Sequence, residues 1–308
     1  MTSNPPSGIQ WEIRHGRRRT VVVEVGGGLR EYTVDGAHVL DGYAVDRVAD
    51  GGRGQPLLPW PNRLADGQYT FEGQQLQVPI DEVARNNAMH GLTRWLNWRL
   101  VAQEPSSIRV GHVVHPRSGY PFTLDLEIEY TLDDSGLSVR TRAHNSGSGP
   151  LPFGAGQHPY FSVGTSLVDA AQLQLPVRGH VELDNDRLLP TGTIRPIETT
   201  ALDYSTPRLI GSAILDDCFC DLVRDADGRA RARLSDPASG RGLTVWVGPG
   251  YRYLQVFTGD TLAPERRRQG LAIEPMTCPP NAFRTGTDLI VLGPDEAVEL
   301  EWGVTEGI

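Results

Sequence analysis

The stretch Phe122-Thr123-Leu124-Asp125-Leu126-Glu127-Ile128-Glu129-Tyr130 alternates apolar and polar residues without a break. Successive side chains of a strand point to opposite faces. The pattern therefore puts Phe122, Leu124, Leu126, Ile128 and Tyr130 on one face, against a core. Asp133-Asp134-Ser135-Gly136 follows as a turn, and Leu137 to His144 alternates again, so the pair reads as a β-hairpin. Working outward, Tyr69 to Val78 forms a second hairpin that turns at Glu72-Gly73. Segments 107–114, 230–236, 243–247, 251–259 and 297–304 carry the same strand character, with turn clusters such as Ser235 to Gly242 between them. Sustained helical periodicity is nearly absent. Many strands with few helices predict an all-β fold, a large antiparallel sandwich or barrel.

At 308 residues the chain suits one large β domain or two ordinary ones. No segment looks like a linker and no fixed-period repeat stands out, so residues 1–308 are expected to form a single domain, with residues 1–10 a flexible tail. A core of this size requires no disulfide or metal staple.

Composition excludes several function classes. The net charge is −9 with no basic face, which argues against nucleic acid and against a membrane surface as partner. No run approaches the roughly 18 apolar residues of a membrane helix. Every basic side chain other than histidine is an arginine, which excludes Schiff-base chemistry on a lysine. Cys218, Cys220 and Cys278 are odd in number and lack a framework spacing. Together with a start that does not resemble a signal peptide, they point to reduced thiols in a cytoplasmic protein. There is no P-loop, paired CxxC or HExxH. Gly26-Gly27-Gly28 leads into a strand-like segment, so it reads as a turn and not as a dinucleotide loop. His112 and His115 point to opposite faces of one strand and do not share a metal. No metal or cofactor is expected. The runs Arg17–Arg19 and Arg266–Arg268 read as solvated loops.

Chemistry concentrates in a few clusters. In Pro59-Trp60-Pro61-Asn62-Arg63-Leu64, two prolines stiffen a segment that delivers Arg63. Its planar fork of donors suits hydroxyls and carboxylates, or ties the loop to carbonyls. Asn86-Asn87-Ala88-Met89-His90-Gly91 sets His90 in a polar loop beside a glycine. Phe153-Gly154-Ala155-Gly156-Gln157-His158-Pro159-Tyr160-Phe161 surrounds His158 with glycines, a proline and aromatics able to tune an imidazole. In Leu271 to Phe283, Glu274 ends an apolar strand and enters a proline-rich loop. A carboxylate there is costly unless paired, and such carboxylates often serve acid–base chemistry. In Leu215-Asp216-Asp217-Cys218-Phe219 the two acids face opposite ways, so one at most points into a given site.

These clusters, in this order, resemble the aldose 1-epimerase (galactose mutarotase) family. The likeness rests on PWPNRL with DGQYTFEG, NAMHGL, GQHPYF and LAIEPMTCPPNAF, and spans roughly residues 55 to 300. It implies a galactose mutarotase-like supersandwich and interconversion of the α and β anomers of a free aldose. Residue by residue, it implies that Glu274 is the base that takes the anomeric hydroxyl proton and His158 the acid that protonates the ring oxygen. Arg63 and His90 then bind the sugar. Asp216, with Asp217 as the alternative, holds its hydroxyls. The wording PWPNR and EPMTCPPNAF is most similar to a bacterial branch that includes a sulfoquinovose mutarotase. The partner so implied is a small-molecule sugar. Trp60, Phe161 or Trp95 is expected to supply an aromatic wall.

The reaction needs one base and one acid on either side of the same bond system, so that neither a full alkoxide nor a full oxonium forms. A bell-shaped pH profile is expected, its acid limb from Glu274 and its basic limb from His158. Two rivals share the fold: a hexose-6-phosphate epimerase, using Arg94, Arg99 or Arg266–Arg268 for the phosphate, and a non-catalytic sugar-binding domain.

Overall fold

The computed structural model describes residues 4–307. The hairpin predicted from its alternation is present. Strands Leu124–Asp133 and Gly136–Asn145 pair from Leu124–Asn145 down to Asp133–Gly136, leaving Asp134-Ser135 as the loop. Leu124, Leu126, Ile128 and Tyr130 are buried and the acids between them half-buried. The hairpin is central to a nine-stranded antiparallel sheet whose middle strand is Ala297–Gly307. An eight-stranded antiparallel sheet carries, in neighbouring order, Gly179–Leu183, Asp216–Cys220, Tyr253–Phe257, Leu271–Met276 and Gly156–Gln157. A four-stranded sheet of residues 10–38 and three two-stranded sheets complete an all-β sandwich. Among the described residues the one α-helix is Ala282–Thr285, and no helix is long and apolar enough to cross a membrane.

The two large sheets enclose an apolar cluster that runs from Trp11 to Val304. A buried polar bridge crosses it. Trp302 Nε1 donates to Gln157 Oε1 (3.1 Å), and Gln157 Nε2 reaches the Tyr130 hydroxyl (3.2 Å), which donates to Gly27 O (2.7 Å). A buried polar group without such partners is costly. Meeting them fixes the segment just before His158 against the opposite sheet.

The second predicted hairpin, Gln68–Phe71 with Gln74–Gln77, turns through Glu72 (φ 48°) and Gly73 (φ 76°), the left-handed pair that a two-residue hairpin turn demands. Gly26-Gly27-Gly28 is a turn between strands, with Trp98 packed where a Gly27 side chain would go. Two expectations change. Residues 7–10 are not part of a flexible tail, because Val25 N donates to Ser7 O and Glu24 N to Ile9 O (both 3.0 Å), and Gln10 opens the first strand. Residues 1–3 of that tail lie outside the described residues. The arginine runs are not merely solvated loops. Arg18 and Arg19 lie in a strand and pair with Glu306 and Glu12, while Arg266 and Arg268 reach Asp41 and Asp169. Each such arginine has a carboxylate within reach across the fold, which sequence order does not reveal.

Candidate active site

Register assembles the site. On the Leu271–Met276 strand, Gly156 pairs with Met276 and Tyr160 with Ala272. Carried through the interruption at Pro159, this register sets His158 opposite Glu274. On the other side Glu274 pairs with Gln255, and Gln255 with Cys218. Strand alternation brings Asp216 to the same face as Cys218 and sends Asp217 to the other. Asp217 there pairs with His180 at 2.9 Å.

Backbone bonds lock the clusters together. Asn281 N donates to Arg63 O (2.6 Å) and its Oδ1 accepts from Ala65 N (3.0 Å), so the loop after Glu274 clamps the strand that starts at Arg63. Thr277 N donates to Ala155 O (2.9 Å), and Gly154 N to Pro59 O (2.6 Å). Gly91 has φ +75°, and a Cβ there would lie 2.0 Å from Leu58 O, so only glycine lets the His90 loop approach this closely.

The result is a cleft of about 290 Å³, at the lower end of the range for small-molecule sites. Arg63, His90, His158, Asp216 and Glu274 all line it. His158 Nε2 lies 3.3 Å from Glu274 Oε1, with both side chains nearly fully buried. Two further polar atoms of this pair, His158 Nδ1 and Glu274 Oε2, are buried without a partner. Arg63 grips Glu82 through Nε and Nη2 (3.0–3.2 Å) and keeps Nη1 buried and unpartnered. Its Nη2 lies 3.8 Å from Asp216 Oδ2, and Asp216 Oδ1 accepts from Gln255 Nε2 at 2.6 Å. Asn62 N donates to His90 Nδ1 (3.2 Å), which leaves the proton of a neutral His90 on Nε2.

Burial sets the proton affinities. It lowers His158 to about 3, helped by the charges of Arg53 and Arg94. It raises Glu274 well above the usual carboxylate range, and the Asp216 charge adds to the rise while Arg63 opposes it. His90 is lowered by burial and then by Arg94. Asp216 is raised by burial against the pull of Arg63.

Of the three aromatics expected as a wall, Trp95 lines the cleft, 54% exposed. Trp60 packs in the core against Phe283 at 5.2 Å, and Phe161 is wholly buried. Arg94 lines the cleft; Arg99 and Arg266 do not. Sequence reading missed Glu82 and Arg85, which also line it. Their one signal was proximity to the Asn86-Asn87 cluster. Among the described residues no group of three or more His, Cys, Asp or Glu is placed to hold a metal.

A polar cleft with an imidazole and a carboxyl in contact at its floor can move protons on a hydroxylated ligand. Comparisons with known proteins agree with that chemistry. Residues 10–305 match the sequence model of the aldose 1-epimerase family. The chain is 33% identical over 287 residues to the uncharacterized protein YihR of Escherichia coli K12, covering 93% of this chain and 89% of that one. It is 32% identical over 214 residues to the galactose mutarotase of Rattus norvegicus, covering 65% of this chain and 60% of the relative. A GalM/aldose epimerase homologue from C. elegans superposes with a TM-score of 0.87 at 19% identity, covering 97% of this chain and 98% of its own. A galactose mutarotase-like protein from Clostridium acetobutylicum gives 0.83 at 19%, covering 96% and 94%. At such identities these two structures speak for the fold alone. The chain belongs to the aldose 1-epimerase family.

Proposed function

We propose that this protein is a mutarotase that interconverts the α and β anomers of a free aldose, acting as a single domain. Glu274 takes the proton of the anomeric hydroxyl, His158 delivers one to the ring oxygen, and Arg63, His90 and Asp216 hold the sugar. One observation carries the reading: His158 Nε2 and Glu274 Oε1 are 3.3 Å apart in a buried pocket.

Low dielectric disfavours both charged forms, lowering the imidazole and raising the carboxyl. Between those two limits the pair holds one proton. Burial leaves that proton on Glu274 at rest; the reaction draws on the tautomer in which it has crossed the 3.3 Å contact to His158, so that Glu274 is vacant to accept and His158 is loaded to give. As the anomeric O–H loses its proton, the C1–O bond to the ring breaks, C1=O forms and the ring oxygen gains a proton. After rotation about C1–C2 the roles reverse and the pair returns to its starting state. The limbs of the pH bell are then exchanged relative to the sequence expectation. The acid limb is the pair gaining a second proton, on His158, and the basic limb is loss of the one it has, from Glu274.

A free sugar fits better than a phosphosugar. Arg63, Arg85 and Arg94 in the lining face Glu82, Asp216 and Glu274, and Arg63 and Arg94 are already engaged by Glu82 and Asp81. The three cysteines are free and buried, which supports a cytoplasmic setting. The test is anomer exchange of fresh α-glucose, α-galactose, sulfoquinovose and a hexose 6-phosphate, followed by NMR with and without protein. Acceleration of at least one free sugar, with no preference for the phosphate, is expected. Acceleration of the phosphosugar alone contradicts the proposal. Binding of a sugar without acceleration identifies a non-catalytic domain.

A further inference from the structure

Arg53 is a buried cation that the acid–base reading does not use. Its side chain is 2% exposed. Nη1 donates to Asp41 Oδ2 (2.6 Å) and to Asp41 O (2.8 Å), and Nε and Nη2 donate to the Asp50 carboxylate (3.1 and 3.4 Å). Arg266 joins the same acids, at 3.2 Å from Asp41 and 3.8 Å from Asp50. The Arg53 guanidinium carbon lies 4.0 Å from the centroid of the Tyr160 ring. That ring is stacked on the His158 imidazole, with centroids 4.9 Å apart and planes within 9°. The backbone reinforces the arrangement. Gly54 N donates to His158 O (2.8 Å), His158 N to Gln55 O (3.0 Å), and the Tyr160 hydroxyl to Gly51 O (2.9 Å).

We propose that Arg53 is a positioning residue for His158: held by Asp41 and Asp50, it seats the Tyr160 ring on which the imidazole is stacked, and so sets the plane of the imidazole against Glu274. The inference rests on His158 being the acid. The charge of Arg53 also acts on this imidazole by lowering its proton affinity, so the tautomer with the proton on His158 is less populated but the stronger acid toward the weakly basic ring oxygen. A like charge close by in a low-dielectric site has that effect. Other groups also face His158. Glu274 reaches it from the Leu271–Met276 strand, and His90 from its loop with ring centroids 5.4 Å apart. Arg94 follows in the same stretch of chain and is paired with Asp81. Asp216 and Arg63 act on Glu274. Asp41 and Asp50 stand with Arg53. Apart from burial, Arg53 and Arg94 are the main influences that lower the imidazole.

The test is NMR titration of the His158 imidazole, assigned with a His158→Asn variant, alongside the acid limb of kcat. In Arg53→Gln the midpoint is expected to rise by about one pH unit, giving about tenfold more imidazolium at a given pH above the midpoint. Arg53→Lys, which keeps the charge, is expected to titrate close to wild type. A folded Arg53→Gln with an unchanged midpoint overturns the proposal, as does a Lys variant that titrates like the Gln one. Should Arg53→Gln not fold, Asp50→Asn removes a counter-charge and is expected to move the midpoint down; no movement overturns the proposal. The titration requires no turnover. A shifted midpoint combined with full activity in Glu274→Gln keeps the coupling and sinks the acid–base reading. Loss of activity in Glu274→Gln with an unshifted midpoint sinks the Arg53 proposal alone.

Discussion

At the residue scale, Asp216 shows how a strand position becomes a chemical one. It shares a face with Glu274, and its charge helps to raise that carboxyl. Asp216→Asn removes the repulsion that opposes loss of the Glu274 proton. The proton is then released more easily, and the basic limb of the kcat–pH profile is expected to move to lower pH. A basic limb that does not move in the folded variant would show that Asp216 does not act on Glu274. Trp95 gives a second test. It is half-exposed at the cleft, so Trp95→Ala is expected to raise KM about 2–10-fold, the value of one aromatic contact, with no change in denaturation midpoint. An unchanged KM would remove it as a wall. Choosing Trp95 over Trp60 was beyond the sequence, because neither tryptophan sits in an alternating strand whose period would show which way it faces. Only packing distinguishes a ring against Phe283 from one facing the cleft. Choosing between Asp216 and Asp217 was likewise a matter of which face the neighbouring strand accepts.

At the element scale, period-two alternation located the long strands well, because a half-buried strand writes its burial directly into the chain. The Leu124–Asp133 hairpin and the Glu72-Gly73 turn are both cases. The loops wrote nothing comparable. Glu82, Arg85 and Arg53 lie in loops and a single 3-10 turn without strand alternation, and the contacts that orient Glu82 and Arg53, with Arg63 and with Tyr160, are far off in sequence, so no spacing announces them. Loop 51–54 is nonetheless tightly specified. Gly52 has φ +75°, and a Cβ there would lie 2.7 Å from His158 Cδ2. Gly52→Ala is expected to cost about 1 kcal/mol from the backbone alone and to lower kcat more than it raises KM, because it pushes the imidazole off Glu274. Equilibrium denaturation with steady-state kinetics checks both. Wild-type kcat in this variant would mean that the loop does not position His158.

At the scale of the whole molecule, an apolar core between the two large sheets holds the strands that carry the site in register. Ile128 is wholly buried in it, 30 or more residues from any site residue in sequence. Ile128→Ala is expected to cost about 2–5 kcal/mol in urea denaturation while leaving KM of the folded fraction unchanged. A cost well under 1 kcal/mol would mean that this face is not packed as described. Family membership follows from nearly the full length of the chain, whereas the sugar it serves depends on a few side chains around the cleft. The claim on which the account turns is that Glu274 and His158 share the proton that opens the ring. The most direct measurement is the rate of α-to-β exchange of a saturating free sugar by NMR, in wild type and in folded Glu274→Gln. A loss of at least about 10²-fold in kcat is predicted, since the variant keeps the shape and removes the base. Exchange at the wild-type rate in that variant would contradict the account.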